Sequence, residues 1–139
     1  FFYDTPAGYF YGFPAIDGRG LKVARHTGGQ VAADPLHVDR SLDREEQAQI
    51  ATFLGEFLPE VTSEATDHTV CLYTMSADEH FIVDRHPGHD QVVFAAGLSG
   101  HGFKFATVLG KILAELATDG TTTLPIGFLG HDRPGLRAK

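Results

Sequence analysis

A chain that runs from an apolar strand through a glycine-rich loop straight into an amphipathic helix is committed to a mixed fold, and residues 92–116 form such a unit. Gly97, Gly100 and Gly102 punctuate the loop. Glycine reaches positive φ without a steric penalty, so the backbone can turn sharply and bring its N–H groups close to an anionic or electron-rich ligand. The helix that follows, residues 103–117, adds positive potential at its start. Ala106, Leu109, Ile112, Leu113 and Leu116 supply its apolar stripe, and Gly120 is its stop. A plain strand-to-helix connection has the same pattern. Lys104 favours the ligand reading, because a cation in the first helical turn opposes the dipole unless an anion lies nearby; a lysine extending into solvent is the simpler account.

The rest of the chain supplies the partners for this unit. Residues 8–14 put Tyr9, Tyr11 and Phe13 on one face of a strand. A turn at Asp17-Gly18-Arg19-Gly20 leads to a strand over residues 21–26, which projects Lys22, Ala24 and His26 from one side and completes a hairpin. Helical spacing of Ile50, Ala51, Leu54 and Phe57 predicts a helix over residues 41–57, with Asp43 and Glu46 as a capping box and Pro59 as the stop. Residues 68–75 read as a third strand with Cys71 and Tyr73 on one face. A Pro-Gly turn at His86-Pro87-Gly88-His89 precedes a buried-looking strand over residues 91–96, and residues 131–139 read as a polar, mobile tail. The fold class expected is mixed α/β (α+β), with antiparallel strands plus a helix followed by the strand, glycine loop and helix.

Composition narrows the function. The 139 residues suffice for one core without staples, and 42% hydrophobic with 21% charged residues excludes a disordered chain. Eleven Lys and Arg against 18 Asp and Glu give a net charge of −7, with no basic block, so nucleic acid is not an expected partner. Apolar runs are too short to span a bilayer and no secretory leader is visible, so no membrane is expected and the location expected is cytoplasmic. The single cysteine, Cys71, excludes an internal disulfide and a multi-thiolate metal site. Eight histidines, among them His86 and His89 beside Asp90, lack a strict ligand spacing, and no metal is expected. The chain opens on Phe1 in strand-like sequence, which reads as a piece of a longer protein.

Lys22 and His26 share a strand face beside aromatic residues, a setting commoner at functional sites. An edge lysine that guards against aggregation is the competing account. For Cys71 the competing account is a buried packing residue.

Taken together, Tyr11-Gly12-Phe13-Pro14, Gly20-Leu21-Lys22 with His26, Cys71-Leu72-Tyr73-Thr74, Asp78-Glu79 before Phe81-Ile82-Val83-Asp84, and Gly97-Leu98-Ser99-Gly100-His101-Gly102-Phe103-Lys104 resemble the monomeric sarcosine oxidase and N-methyltryptophan oxidase family of FAD-dependent amine oxidases. Leu98 stands where the family commonly has Phe, and Leu72 to Met75 leans toward the N-methyltryptophan branch. The resemblance covers about the last third of such an enzyme and lacks the dinucleotide-binding loop. It implies that residues 1–78 end a substrate domain and residues 79–139 end an FAD-binding domain. It further implies a thioether from Cys71 to the flavin, Lys22 as the dioxygen-activating cation, and Lys104 on the substrate carboxylate. Tyr11, His26 and Tyr73 would line the amine pocket, with Gly97, Ser99, Gly100, His101, Gly102, Phe103 and Lys104 against the flavin. The implied reaction is oxidative demethylation of a small N-methyl amino acid by dioxygen, giving formaldehyde and hydrogen peroxide. Another secondary or cyclic amino acid as substrate is the alternative within the class. Outside it stands a non-catalytic folded fragment that self-associates and holds no FAD.

Overall fold

A computed structural model describes residues 1–16 and 18–137, so Asp17 of the expected turn and the last two residues of the expected tail lie outside the described residues. The chain divides into two compact units, Phe1–Cys71 and the residues from Leu72 onward. Each mixes antiparallel strands with one α-helix, as the expected fold class requires.

In the first unit, β1 (Phe2–Thr5), β2 (Gly8–Phe13) and β3 (Lys22–Arg25) form an antiparallel sheet in that order. Tyr11 pairs with Phe2 on one side and Ala24 on the other, and Phe13 pairs with Lys22. The expected hairpin is therefore present. Gly12 must be glycine, since a Cβ there would collide with the Lys22 carbonyl and the Phe1 ring. Alternation sends Phe10 to the opposite face, where it is fully buried and stacks on Phe53 at 4.4 Å between ring centroids. Phe53 belongs to α1 (Arg44–Phe57), whose residues Ile50, Leu54 and Phe57 complete this core with Tyr3 and Val23. Asp43 caps the helix, accepting from the N–H groups of Glu45 at 2.7 Å and Glu46 at 3.3 Å.

In the second unit, β4 (Ile82–His86) and β5 (His89–Ala96) pair antiparallel around the Pro-Gly turn, with an irregularity between Arg85 and His86. A 3-10 turn at Phe103–Phe105 leads into α2 (Ala106–Thr118). Leu109, Ile112 and Leu116, one stripe of α2, pack on Phe81, Val83 and Leu129. Gly120 closes the helix at φ +73°, as its position suggests.

Three expectations need correction. Residues 68–75 are not a strand. A strand persists only when its backbone groups enter a ladder, and here the links are isolated: the Val70 carbonyl accepts from Arg40 at 3.4 Å and the Thr74 carbonyl accepts from the Ser99 N–H at 3.1 Å. The strand ending at Ala96 begins earlier than expected and is half-exposed, because a two-stranded sheet backed by one helix shields only part of its surface. Residues 131–137 are tied down, with His131 bonded to Asp84 and Arg133 buried against Asp78.

Candidate functional site

One face of the first unit's sheet is aromatic and cationic. Phe2 of β1, Tyr9, Tyr11 and Phe13 of β2, and Lys22 of β3 lie on it, with His26 just beyond the end of β3. The Lys22 ammonium stands 4.9 Å from the centroid of the Tyr11 ring and 5.3 Å from that of Phe13, and it lies 3.4 Å from the Tyr11 hydroxyl. Ring faces carry negative potential, so they hold the cation without neutralising it. His26 lies edge-on to Tyr11 at 6.1 Å and to Phe2 at 6.4 Å. Period 2 had placed Lys22, Ala24 and His26 together, and cross-strand pairing brings Tyr11 to them. Cys71, at the end of this unit, is exposed, so it is not the packing residue that lone cysteines commonly are.

The second unit holds a cavity of about 450 Å³ over the glycine-rich loop, lined by Tyr73, Gly97, Ser99, Gly100, Gly102 and Phe103, with Leu72, Thr74, Ala95, Ala96 and Leu98 completing the wall. That volume falls in the usual range for small-molecule sites, roughly 300–1,000 Å³. Positive φ at Gly97 (+56°), Ser99 (+48°) and Gly100 (+76°) coils the loop. A Cβ on Gly100 would stand 2.5 Å from the Tyr73 ring, so glycine is what lets that ring lie on the loop backbone.

Two expected loop residues lie outside the cavity wall. The His101 ring packs on Phe81 at 4.8 Å, with Nε2 3.3 Å from the Glu79 carbonyl. Lys104 belongs to the 3-10 turn rather than to the first turn of α2, and its ammonium stands 5.6 Å from the Phe105 ring. Phe103 is 95% exposed. On the other side of the same 3-10 turn, His80, Phe81, His101, Phe105, Ile112 and Phe128 border a more apolar groove of about 330 Å³.

The strongest electrostatic feature of this unit carries no expected role. Arg133 donates from Nε and Nη2 to the two carboxylate oxygens of Asp78, both at 2.7 Å. This fork holds the Asp78 carboxyl far below its ordinary range and raises Arg133. Burial pushes Asp84 up, but bonds from the His131 N–H and ring and from the Arg85 N–H outweigh it and leave the carboxyl below its usual value. Arg133 escaped the sequence reading because a lone arginine among glycine and proline residues has no periodicity to mark it.

Among the described residues no cluster of three or more His, Cys, Asp or Glu could hold a metal ion, and no helix is long and apolar enough to cross a membrane.

The family model described as FAD dependent oxidoreductase matches residues 1–116. The monomeric sarcosine oxidase of Bacillus sp. (strain B-0618) is 41% identical over 138 residues, covering 99% of this chain and 35% of that protein. The monomeric sarcosine oxidase of Arthrobacter sp. (strain TE1826) is 41% identical over 140 residues, or 100% of this chain and 36% of the relative. The N-methyl-L-tryptophan oxidase of Escherichia coli (strain K12 / DH10B) is 41% identical over 117 residues, 79% of this chain and 29% of the relative. The chain thus spans about a third of the length of the curated relatives it matches. On the breadth of these matches, this chain belongs to the FAD dependent oxidoreductase family.

Proposed function

We propose that the protein carrying this chain is a cytoplasmic FAD-dependent oxidase that demethylates a small N-methyl amino acid, of the sarcosine or N-methyltryptophan type, releasing formaldehyde and hydrogen peroxide. The observation that carries this reading is the coiled glycine-rich loop and its cavity of about 450 Å³, in a chain 41% identical over 99% of its own length to a sarcosine oxidase of which it covers 35%. The small residues of the wall, among them Thr74, Ala95, Ala96, Gly97 and Ser99, support a flat aromatic ring system lying over the loop, while the space beside Gly100 and Gly102 is taken by Tyr73 and Leu98. FAD would supply the two-electron oxidation of the amine and the transfer of those electrons to dioxygen.

This chain's own groups have the following proposed roles. Residues 1–78 are assigned to the substrate domain and residues 79–139 to the FAD-binding domain, a division seven residues beyond the boundary between the two compact units. Cys71 holds the cofactor through a thioether, which needs an accessible thiol, and Cys71 is exposed. Gly97, Ser99, Gly100, Gly102 and Phe103 of the cavity wall form the cofactor-facing loop, and His101 and Lys104, which lie outside that wall, are assigned to it as members of the same run. Lys22, fixed over two aromatic rings, stabilises the negative charge that develops on dioxygen as it is reduced. Lys104 makes a charge-assisted bond to the substrate carboxylate. Tyr11, His26 and Tyr73 shape the amine pocket.

The test is to incubate the purified full-length protein with sarcosine, N-methyltryptophan and proline while measuring peroxide and formaldehyde. Equal yields of both from an N-methyl substrate are expected. Peroxide without formaldehyde, obtained with proline, would instead establish the cyclic amino acid alternative. Acid precipitation reads the thioether: yellow colour should stay in the pellet, and release of free flavin to the supernatant would refute attachment at Cys71.

A further inference from the structure

The cavity loop is supported from below by a chain of polar groups that begins at Arg133. Ser99 sits in the loop at φ +48°, a left-handed conformation that non-glycine residues adopt infrequently, and it is only 4% exposed. Its hydroxyl donates to the Gly97 carbonyl at 3.1 Å and accepts from the Ser76 N–H at 3.3 Å, while its own N–H donates to the Thr74 carbonyl at 3.1 Å. A buried left-handed serine needs such over-determination to persist. Ser76 is held in turn. Its hydroxyl donates to the His80 carbonyl at 2.6 Å, with Asp78 Oδ1 the alternative acceptor at 3.2 Å, and its carbonyl accepts from the Glu79 N–H at 3.1 Å.

Asp78 and His80 are both anchored by Arg133. Besides the two bonds to Asp78, Nη2 donates to the His80 carbonyl at 3.0 Å, and Nη1 donates to the carbonyls of Leu129 and Gly130 at 3.1 and 3.2 Å. The residue is 9% exposed. A planar fork of fixed donors sets both the position and the orientation of the carboxylate, which an ammonium cannot do. The fit is close enough that Gly135 has no room for a Cβ, which would strike the Asp78 carboxylate.

We propose that Arg133 is a positioning residue for the cofactor-facing loop: locked onto Asp78, it holds the turn at residues 76–80, which presents Ser76 to Ser99 and so sets the shape of the cavity floor. The C-terminal segment is then part of the site's machinery. The proposal rests on reading that cavity as the cofactor site, and it adds a residue that touches neither cofactor nor substrate.

The experiment uses the full-length protein and four variants, Arg133→Met, Gly135→Ala, Ser99→Ala and the Arg133→Met/Ser99→Ala double. Gly135→Ala displaces Asp78 while removing no charge, and Ser99→Ala cuts the chain at its far end, so the set stays informative if Arg133→Met fails to fold. The readouts are the visible flavin spectrum and anaerobic flavin reduction by substrate, both taken on the folded, flavin-loaded fraction. Each single variant is expected to shift the flavin bands in the same direction. Each should also slow reduction by about 10–100-fold, the scale on which a displacement of about 1 Å costs rate. The double variant should be no worse than the poorer single one, because both act through one chain. Variants that lose thermal stability yet keep the wild-type spectrum and reduction rate in their folded fraction overturn the proposal and make Arg133 a structural residue. Additive effects in the double variant overturn it as well. If the wild-type protein is colourless and binds no flavin, the proposed function itself fails, an outcome separate from the other two.

Discussion

At Gly100 one added methyl group would meet the Tyr73 ring at 2.5 Å, in a backbone conformation of φ +76°. Gly100→Ala should therefore cost about 1–3 kcal/mol from the backbone conformation alone, measured by urea unfolding, and should lower flavin occupancy beyond that. Lys22 sits against ring faces, which hold its positive charge without neutralising it. If it serves dioxygen, Lys22→Met should slow oxidation of the reduced full-length protein by two to three orders of magnitude, about 2.7–4 kcal/mol. Stopped-flow mixing with dioxygen reads this, and a rate within a few-fold of wild type would leave Lys22 as a guard of the strand edge. Asp78 gives a pH signature. Its folded-state pKa is depressed by Arg133, so its contribution is fully present above the unfolded value near about 3.9 and is lost as pH falls through the folded value. Asp78→Asn should therefore be less stable than wild type by a constant margin at neutral pH. That margin should narrow only below about pH 4, as followed by chemical denaturation across pH.

At the scale of elements, α1 and the sheet it covers depend on few contacts. Phe10, Phe53 and Leu54 are the buried apolar residues of the first unit's core, so Phe53→Ala opens a cavity under Phe10 and should cost about 3–5 kcal/mol. Asp43→Ala removes the acceptor of two helix N–H groups and should cost about 0.5–2 kcal/mol. Unfolding curves for the two variants should rank in that order; equal losses would mean that the cap carries more of the helix than its two bonds suggest. The contrast with residues 68–75 is instructive. Alternation of Cys71 and Tyr73 with Leu72 resembles that of β2, yet β2 finds partners on both sides, whereas residues 68–75 have no neighbouring ladder among the described residues.

At the scale of the whole molecule, each unit's sheet has outer strands with no further strand paired among the described residues, and large apolar side chains are exposed in both units. The second unit's sheet has two strands, a size that is marginal without further partners. Phe103 and Phe128 are exposed, and Phe128 borders an apolar groove of about 330 Å³. Exposed edges and apolar patches of this kind drive association. The chain alone should self-associate, a symmetric dimer being the simplest form, and should bind FAD weakly and make no peroxide. Light scattering, flavin titration and a peroxide assay read the three parts; a yellow, active monomer would contradict all of them.

Local chemistry was legible in the residues themselves. Period 2 put Tyr11 with Tyr9 and Phe13 on one face of their strand and Lys22 with Ala24 on one face of theirs, Asp43 marked the start of α1, and three glycines marked the coiled loop, because each of these depends on neighbours within a few positions. The family motifs were legible for the same reason, being short runs such as Gly97 to Lys104. Long-range partners were not. Whether residues 68–75 become a strand depends on a distant edge, and whether the tail is loose or pinned depends on Asp78 meeting Arg133 across 55 residues. A charge pair of that separation leaves no pattern in the chain, since its energy comes from burial and fork geometry that exist only once the second unit has folded.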